Sequence, residues 1–377
     1  MTRSFRIGRI YGIDIELDYT WFIVFALLVS LLAGGSGPFS AHTAQLPPSL
    51  RLLLAVFAAF LFFGSVLLHE LSHSLVALRN GLTITGITLF IFGGVSKMAD
   101  EPRSPGVEFR MAIAGPGASF VLAAVFYLLA LAVGSRGGRS LTEVFLWLAV
   151  VNGMLGAFNL LPGFPLDGGR VLRAGLWHWL HNLPEATRIA AGFGQGLGTL
   201  LIVLGLLEFM LGGGARWNGV WLAFIGWFVI QAAQSSYQQI LARHVLAGIT
   251  VADIMTRQVD VVPAACTLDE VIHDHVMVHS HPAYPVFDGD RLLGLISLSD
   301  LREVPRERRG TMRASEVVAP LTEAQTVSPT TGVWEALGKM MSGSQGRLLV
   351  LEEGRLVGIV SRTDVMHVMR RRMELGV

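Results

Sequence analysis

Up to about residue 235 the chain is a succession of long apolar runs separated by short polar stretches. Beyond that point the runs shorten and charged residues interleave. A bilayer core takes ~20 consecutive apolar residues as a helix, and six transmembrane helices are expected. They fall at 19–34, 52–79, 107–134, 142–161, 185–212 and 217–235. The first is short. The last carries Trp217, Trp221 and Trp227, which suits the headgroup belt. Between the second and third, GLTITGITLFIFGGVSKM (81–98) alternates β-branched with small residues and includes Gly93-Gly94. That pattern predicts a small β-hairpin, re-entrant if protein or a cavity covers its backbone.

The tail contains a repeat. PVFDGDRLLGLISLSDL (285–301) and LVLEEGRLVGIVSRTDV (349–365) align without gaps at an offset of 64 residues. Each predicts strand, acidic turn, strand, then a helix start at Ser299-Asp300 or Thr363-Asp364. The stretches TLDEVIHDHVMV and TGVWEALGKMM upstream read as matching helices. Two copies of one β-α-β-β-α unit are expected to pack as a pair. QAAQSSYQQILARHVLAGI, just before them, reads as a polar helical connector. The expected organisation is a membrane part over 1–235, a linker helix over 236–250, and repeat domains over 251–308 and 309–377.

Composition strengthens the membrane reading: of 377 residues, 52% are hydrophobic and 15% charged, where soluble domains average about 25% charged. The net charge of +1 gives no reason to expect nucleic acid as a partner. Cys266 is the single cysteine, which excludes an intrachain disulfide, and it reads as a small packed residue. The first residues show no early apolar run and no small-residue cleavage site, so they read as mature sequence. Lys and Arg gather before the first span (Arg3, Arg6, Arg9), between the second and third (Arg79, Lys97, Arg103, Arg110), and between the fourth and fifth (Arg170, Arg173, Arg188). The opposite loops hold Arg51, Arg136, Arg139 and Arg216. This bias predicts a cytoplasmic N-terminus and C-terminus.

Chemistry is concentrated in LLHELSHSLVA (67–77), inside the second span. Each charged residue at membrane depth costs about 2.5–3.5 kcal/mol on insertion scales. His69 and His73 are four apart, hence one turn apart on one helix face, the spacing at which two imidazoles grip one zinc ion. Glu70 then points near the open side of the metal. A catalytic zinc usually takes a third protein ligand. Asp167 stands out for that part, in AFNLLPGFPLDGGRVLRA (157–174), where two prolines and two glycines argue against a regular helix. A turn that merely caps a helix there is the other reading. HDHVMVHSHP (273–282) reads as surface histidines on a helix, and His178 and His181 as interfacial packing.

HELSH in the second span, AGPGAS (114–119) in the third, and N-x-x-P-x-x-P-L-D-G-G from Asn159 to Gly169 together resemble the site-2 protease family of intramembrane zinc metalloproteases. IFGGVSKM and EPRSPGVEF resemble its bacterial and archaeal members. The resemblance implies that His69, His73 and Asp167 ligate one Zn²⁺, that Glu70 is the catalytic base, and that Asn159 positions or polarises the substrate. Ser119 departs from relatives that have Asn. The tail resembles a tandem pair of CBS domains, with GLISLSD and GIVSRTD matching G-h-h-S-x-[ST]-D. That implies possible ATP, ADP or AMP sites involving Ser299, Asp300, Thr363 and Asp364, and a homodimer through the CBS pair. The expected fold is an α-helical polytopic membrane protein with about six transmembrane helices, followed by an α/β tandem CBS module. Expected partners are single-pass membrane protein substrates and the lipid bilayer of the cell membrane. Two rival readings are weaker. A CBS-regulated transporter should show inverted repeats among its spans, and an inactive scaffold should lack one of His69, Glu70, His73 or Asp167.

Overall fold

The computed structural model of the chain describes residues 4–34, 45–91, 93–98, 101–211, 216–278, 283–342 and 346–375. It forms two compact units, Met1–Ile240 and Leu241–Val377.

The first unit opens on a hairpin that the pattern reading did not anticipate. β1 (Ser4–Ile10) and β2 (Ile13–Asp18) pair antiparallel around Tyr11-Gly12, both with positive φ. The signal was present: Ile13, Ile15 and Leu17 alternate with Asp14, Glu16 and Asp18, and a two-residue turn containing glycine precedes them. Asp18 ends the strand and caps α1 (Tyr19–Ala33), accepting from the Thr20 N–H. After α2 (Pro48–Arg79) come β3 (Ile84–Phe90) and β4 (Gly93–Met98), antiparallel to each other within the stretch where a hairpin was expected. β3 runs parallel to β2, giving one sheet in the order β1-β2-β3-β4. Ile13, Ile15 and Ile87 are fully buried against Leu71 and Ala77 of α2. Each contributes about 1.5–3 kcal/mol by burial, which seats the sheet against the segment carrying His69 and His73.

Helices α3 (Pro105–Gly134), α4 (Arg139–Asn159), α5 (Asp167–Leu180), α6 (Leu183–Leu211) and α7 (Arg216–Val245) complete the unit. Ala55, Ala58 and Ala59 of α2 are fully buried in a cluster with Phe126 of α3 and Leu148 of α4. Small residues at such contacts let helices approach closely, as packing in lipid requires. Among the described residues, four helices are long and apolar enough to cross a membrane: α2, α3, α4 and α6. Of the two other expected spans, α1 is apolar but only 15 residues long. The 217–235 segment lies in α7, which continues without a break through most of the expected connector.

The second unit holds two sheets, β5-β6-β7-β8 and β11-β10-β9. In the first, β6 (Ala283–Asp288) and β7 (Arg291–Ser297) form the central hairpin, between β5 (Val262–Pro263) and β8 (Ala319–Pro320). In the second, β10 (Arg347–Glu352) and β11 (Arg355–Ser361) pair beside β9 (Thr326–Val327). The repeats exchange partners. β7 pairs with Ala319-Pro320, which precedes the second repeat, and Ile359 of β11 bridges Thr256, which precedes the first. Each repeat therefore lends a segment to its twin.

Candidate metal centre

α2 presents His69 and His73 one turn apart, buried at 4% and 6% exposure. Asp167 arrives from the first turn of α5. Its Oδ2 lies 3.1 Å from Nε2 of each imidazole, and the two Nε2 atoms are 3.2 Å apart. Three donors held ~2.0–2.1 Å from one tetrahedral ion lie ~3.3 Å from each other. The triad already has that size, and two imidazoles with one carboxylate suit zinc. Among the described residues no other group of three or more His, Cys, Asp or Glu is placed to hold a metal.

Both rings are held from behind by α3. The His73 Nδ1–H donates to the Met111 carbonyl at 2.6 Å, which directs the Nε2 lone pair toward Asp167. His69 Nδ1 lies 2.9 Å from Ser119 Oγ, and Ser119 is fully buried. Such outer partners set ring orientation and tautomer. The sequence reading noted Ser119 only as a departure; the structure makes it the group behind His69. α3 can come so close because residue 115 is glycine: a Cβ there would overlap Nε2 of both histidines. Gly94 of β4 does the same for Glu70, whose Cγ and Cδ lie where a Cβ would sit. Glu70 therefore rests against the backbone of an edge strand. A cavity of ≈ 240 Å³ is lined by Glu70, His73, Ser96, Met111, Asp167 and Arg170.

The presentation of Asp167 corrects one expectation. Residues 160–166 do leave the helix at Pro162 and Pro165, but Gly168 and Gly169 lie inside the regular first turns of α5. Cβ atoms there would strike the backbone of Leu160 and Leu161, and of Gly163 and Phe164. The prolines break the chain, and the glycines let the new helix pack back on the break.

A charged network flanks the triad. Arg173 Nε donates to Glu108 Oε1 at 2.6 Å, both side chains are nearly inaccessible, and the guanidinium sits 5.0 Å over the Phe164 ring. Arg170 lines the cavity. In the sequence these two arginines read as charges of the loop between the fourth and fifth spans. The structure instead gives Arg173 a buried partner and Arg170 a place in the site, since an unscreened buried carboxylate such as Glu108 needs a cation.

Residues 57–136 and 134–203 match the model of peptidase family M50, and residues 251–307 and 314–371 match that of the CBS domain. Rip3 of Mycobacterium tuberculosis, whose name describes it as a zinc metalloprotease, is 38% identical over 97% of this chain and 92% of its own length. The chain belongs to peptidase family M50. Zinc metalloprotease MJ0392 of Methanocaldococcus jannaschii is 31% identical over 98% of this chain and 97% of its own. A solved site-2 protease from the same organism is 31% identical, covering 62% of this chain and 94% of that chain, with a TM-score of 0.41. This M50 peptidase is therefore a metalloendopeptidase and a multi-pass membrane protein with a CBS pair.

The other candidate residues of the M50 peptidase fall elsewhere. Asn159 ends α4 half-buried, its amide donating to the Leu155 carbonyl of its own helix at 3.0 Å. His178 and His181 lie outside the triad, and His181 ends α5 with positive φ. His273 packs on the Asp269 carbonyl and His275 lies 3.0 Å from Asp260; His279 and His281 lie outside the described residues. In the repeat motif, the cap is Ser297 or Ser361 rather than Ser299 or Thr363. Asp300 and Asp364 accept from the backbone and hydroxyl of that serine, a capping box. Thr363 and Asp364 line a ≈ 230 Å³ cavity with Thr256, Asp260 and Arg347.

Proposed function

We propose that His69, His73 and Asp167 hold one zinc ion and that Glu70 is the general base of an intramembrane protease. The observation that carries this reading is the triad itself: three donor atoms 3.1–3.2 Å apart, with His73 and Asp167 in the wall of a cavity that Glu70 also lines. Zinc held there supplies Lewis-acid polarisation of the scissile carbonyl and lowers the pKa of water to about 7. Glu70, on the same helix as both imidazoles, takes a proton from the attacking water and returns it to the departing amine. Met111 and Ser119 keep the rings aimed. Asn159, as the family resemblance implies, acts on the substrate from the end of α4.

The substrates are single-pass membrane segments that unwind locally, because a helical amide is shielded by its own hydrogen bonds. β4 is the edge of its sheet and passes beside Glu70. An extended segment adding to that edge is held by backbone hydrogen bonds, which is sequence-tolerant recognition. Both termini are cytoplasmic, and the CBS pair gates the protease by binding an adenine nucleotide or by dimerising. The cavity beside Thr363 and Asp364, with Arg347 as a cation for phosphate, supports the nucleotide version.

Glu70→Gln abolishes cleavage while zinc stays near one per chain, and Asp167→Ala loses zinc as well. Undiminished proteolysis by purified Glu70→Gln ends the assignment. Calorimetry of the full-length protein with ATP, ADP and AMP tests the gate: binding heat that disappears in Asp364→Ala supports it, and silence with all three removes the nucleotide.

A further inference from the structure

Arg170 is a cavity-lining charge to which the chemistry above assigns no task. It lies one turn beyond Asp167 on α5, so the two share a helix face, and it lines the same cavity as Glu70 and His73. Arginine is seldom taken out of water without an anionic partner. Arg173, three residues on, has one in Glu108. Arg170 differs: among the described residues its guanidinium makes no hydrogen bond or ion pair. No nearby acid meets it: Glu108 Oε1 is taken by Arg173, Asp167 Oδ2 lies against the two imidazoles, and Glu108 Oε2 is buried without a hydrogen-bond partner rather than paired with Arg170. A guanidinium has five N–H donors and no acceptor, so an oxygen anion brought into this cavity meets donors that no side chain of the protein occupies.

We propose that Arg170 donates to the scissile carbonyl oxygen as it becomes an oxyanion, and then to the carboxylate of the product. This rests on reading the cavity as the active site. When the water oxygen bonds to the carbonyl carbon, the π pair moves onto the carbonyl oxygen, and Glu70 holds the released proton. When the C–N bond breaks, its electron pair leaves with nitrogen, which takes that proton, and the C=O re-forms. The acid so made gives its remaining proton to the amine, leaving a carboxylate in reach of the same donors. The contact strengthens as charge develops, which raises kcat rather than ground-state binding. A donor already positioned for an oxyanion needs no reorganisation during the step.

The test compares Arg170→Gln, Arg170→Lys, Arg170→Ala and Glu70→Gln in the purified full-length protein, with an internally quenched apolar peptide as probe and zinc content measured on each. Arg170→Gln should lose about 10²–10³-fold in kcat, the usual loss for one oxyanion donor, with KM and zinc little changed. Arg170→Lys should retain part of the rate, and added guanidinium ions should restore part of it to Arg170→Ala. Full activity in Arg170→Gln, a change confined to KM, or loss of zinc each overturns the assignment. If Arg170→Gln does not fold, the Lys variant decides: wild-type kcat there removes any need for the forked donor and overturns it. Activity surviving in Glu70→Gln points to failure of the active-site reading; a dead Glu70→Gln beside a fully active Arg170→Gln isolates the failure to Arg170.

Discussion

Gly115 contributes no side chain, and the metal centre depends on that. A methyl group there would occupy the position of both Nε2 atoms, and overpacking a site with no slack costs about 1–3 kcal/mol. Gly115→Ala should therefore give folded protein with zinc well below one per chain, as elemental analysis would show. Wild-type zinc in that variant means that α3 can move away without disturbing the rings. Ser119 works more gently. Removing its hydroxyl leaves His69 Nδ1 without its partner at 2.9 Å, and losses at such outer positions run about 10–100-fold in metal affinity. Competition with a chromogenic chelator should show Ser119→Ala in that range. At this scale HELSH and L-D-G were legible because their spacing is local. Ser119, Gly115 and Arg170 were not, because their importance comes from what faces them across 38 or more residues of chain.

At the scale of elements, the β1–β4 sheet carries its polar contacts on one face. Lys97 donates to Glu16 at 2.7 Å, with Ser4 also donating, and these contacts hold the Glu16 carboxyl below the usual carboxylate range. A folded pKa below the unfolded value means the contact stabilises the sheet above the ordinary glutamate pKa of about 4.3. That stabilisation is lost as pH falls through the folded value. The site is largely solvated, so the contribution is small, roughly 0–1 kcal/mol. Lys97→Ala should raise the Glu16 titration midpoint, read by carboxyl NMR; an unmoved midpoint assigns the shift elsewhere. In the second unit, Asp300→Ala removes one half of a capping box, worth about 1 kcal/mol. Faster amide exchange in Leu298–Glu303 should follow. The motif G-h-h-S-x-[ST]-D was correctly located in the sequence, but the first serine is the one that caps the helix, a reciprocal pairing that only coordinates show.

For the whole molecule, zinc held by the proposed triad would couple assembly to activity, because a ligand bound only by the folded state stabilises it by mass action. Chelation should abolish proteolysis and lower the thermal midpoint, and added zinc should restore both. Proteolysis that persists after zinc is stripped to background would contradict the centre as built from His69, His73 and Asp167. The triad draws on two helices that begin and end more than 80 residues apart, so its integrity reports on the packing of the whole first unit.

The sequence by itself determined that the chain crosses a membrane, that it carries a duplicated α/β module, and that His69, His73 and Asp167 were the residues to look for as one group. Those facts are written in hydrophobic period, internal repetition and short-range spacing. Only the tertiary structure decided that the N-terminal strands join the hairpin in one sheet, that of two arginines counted as loop charges one lines the cavity and the other pairs with Glu108, and that glycines bring α3 and β4 against the helix carrying His69 and His73. Close approach between distant segments depends on what both sides lack as much as on what they carry, and no single stretch of chain records it.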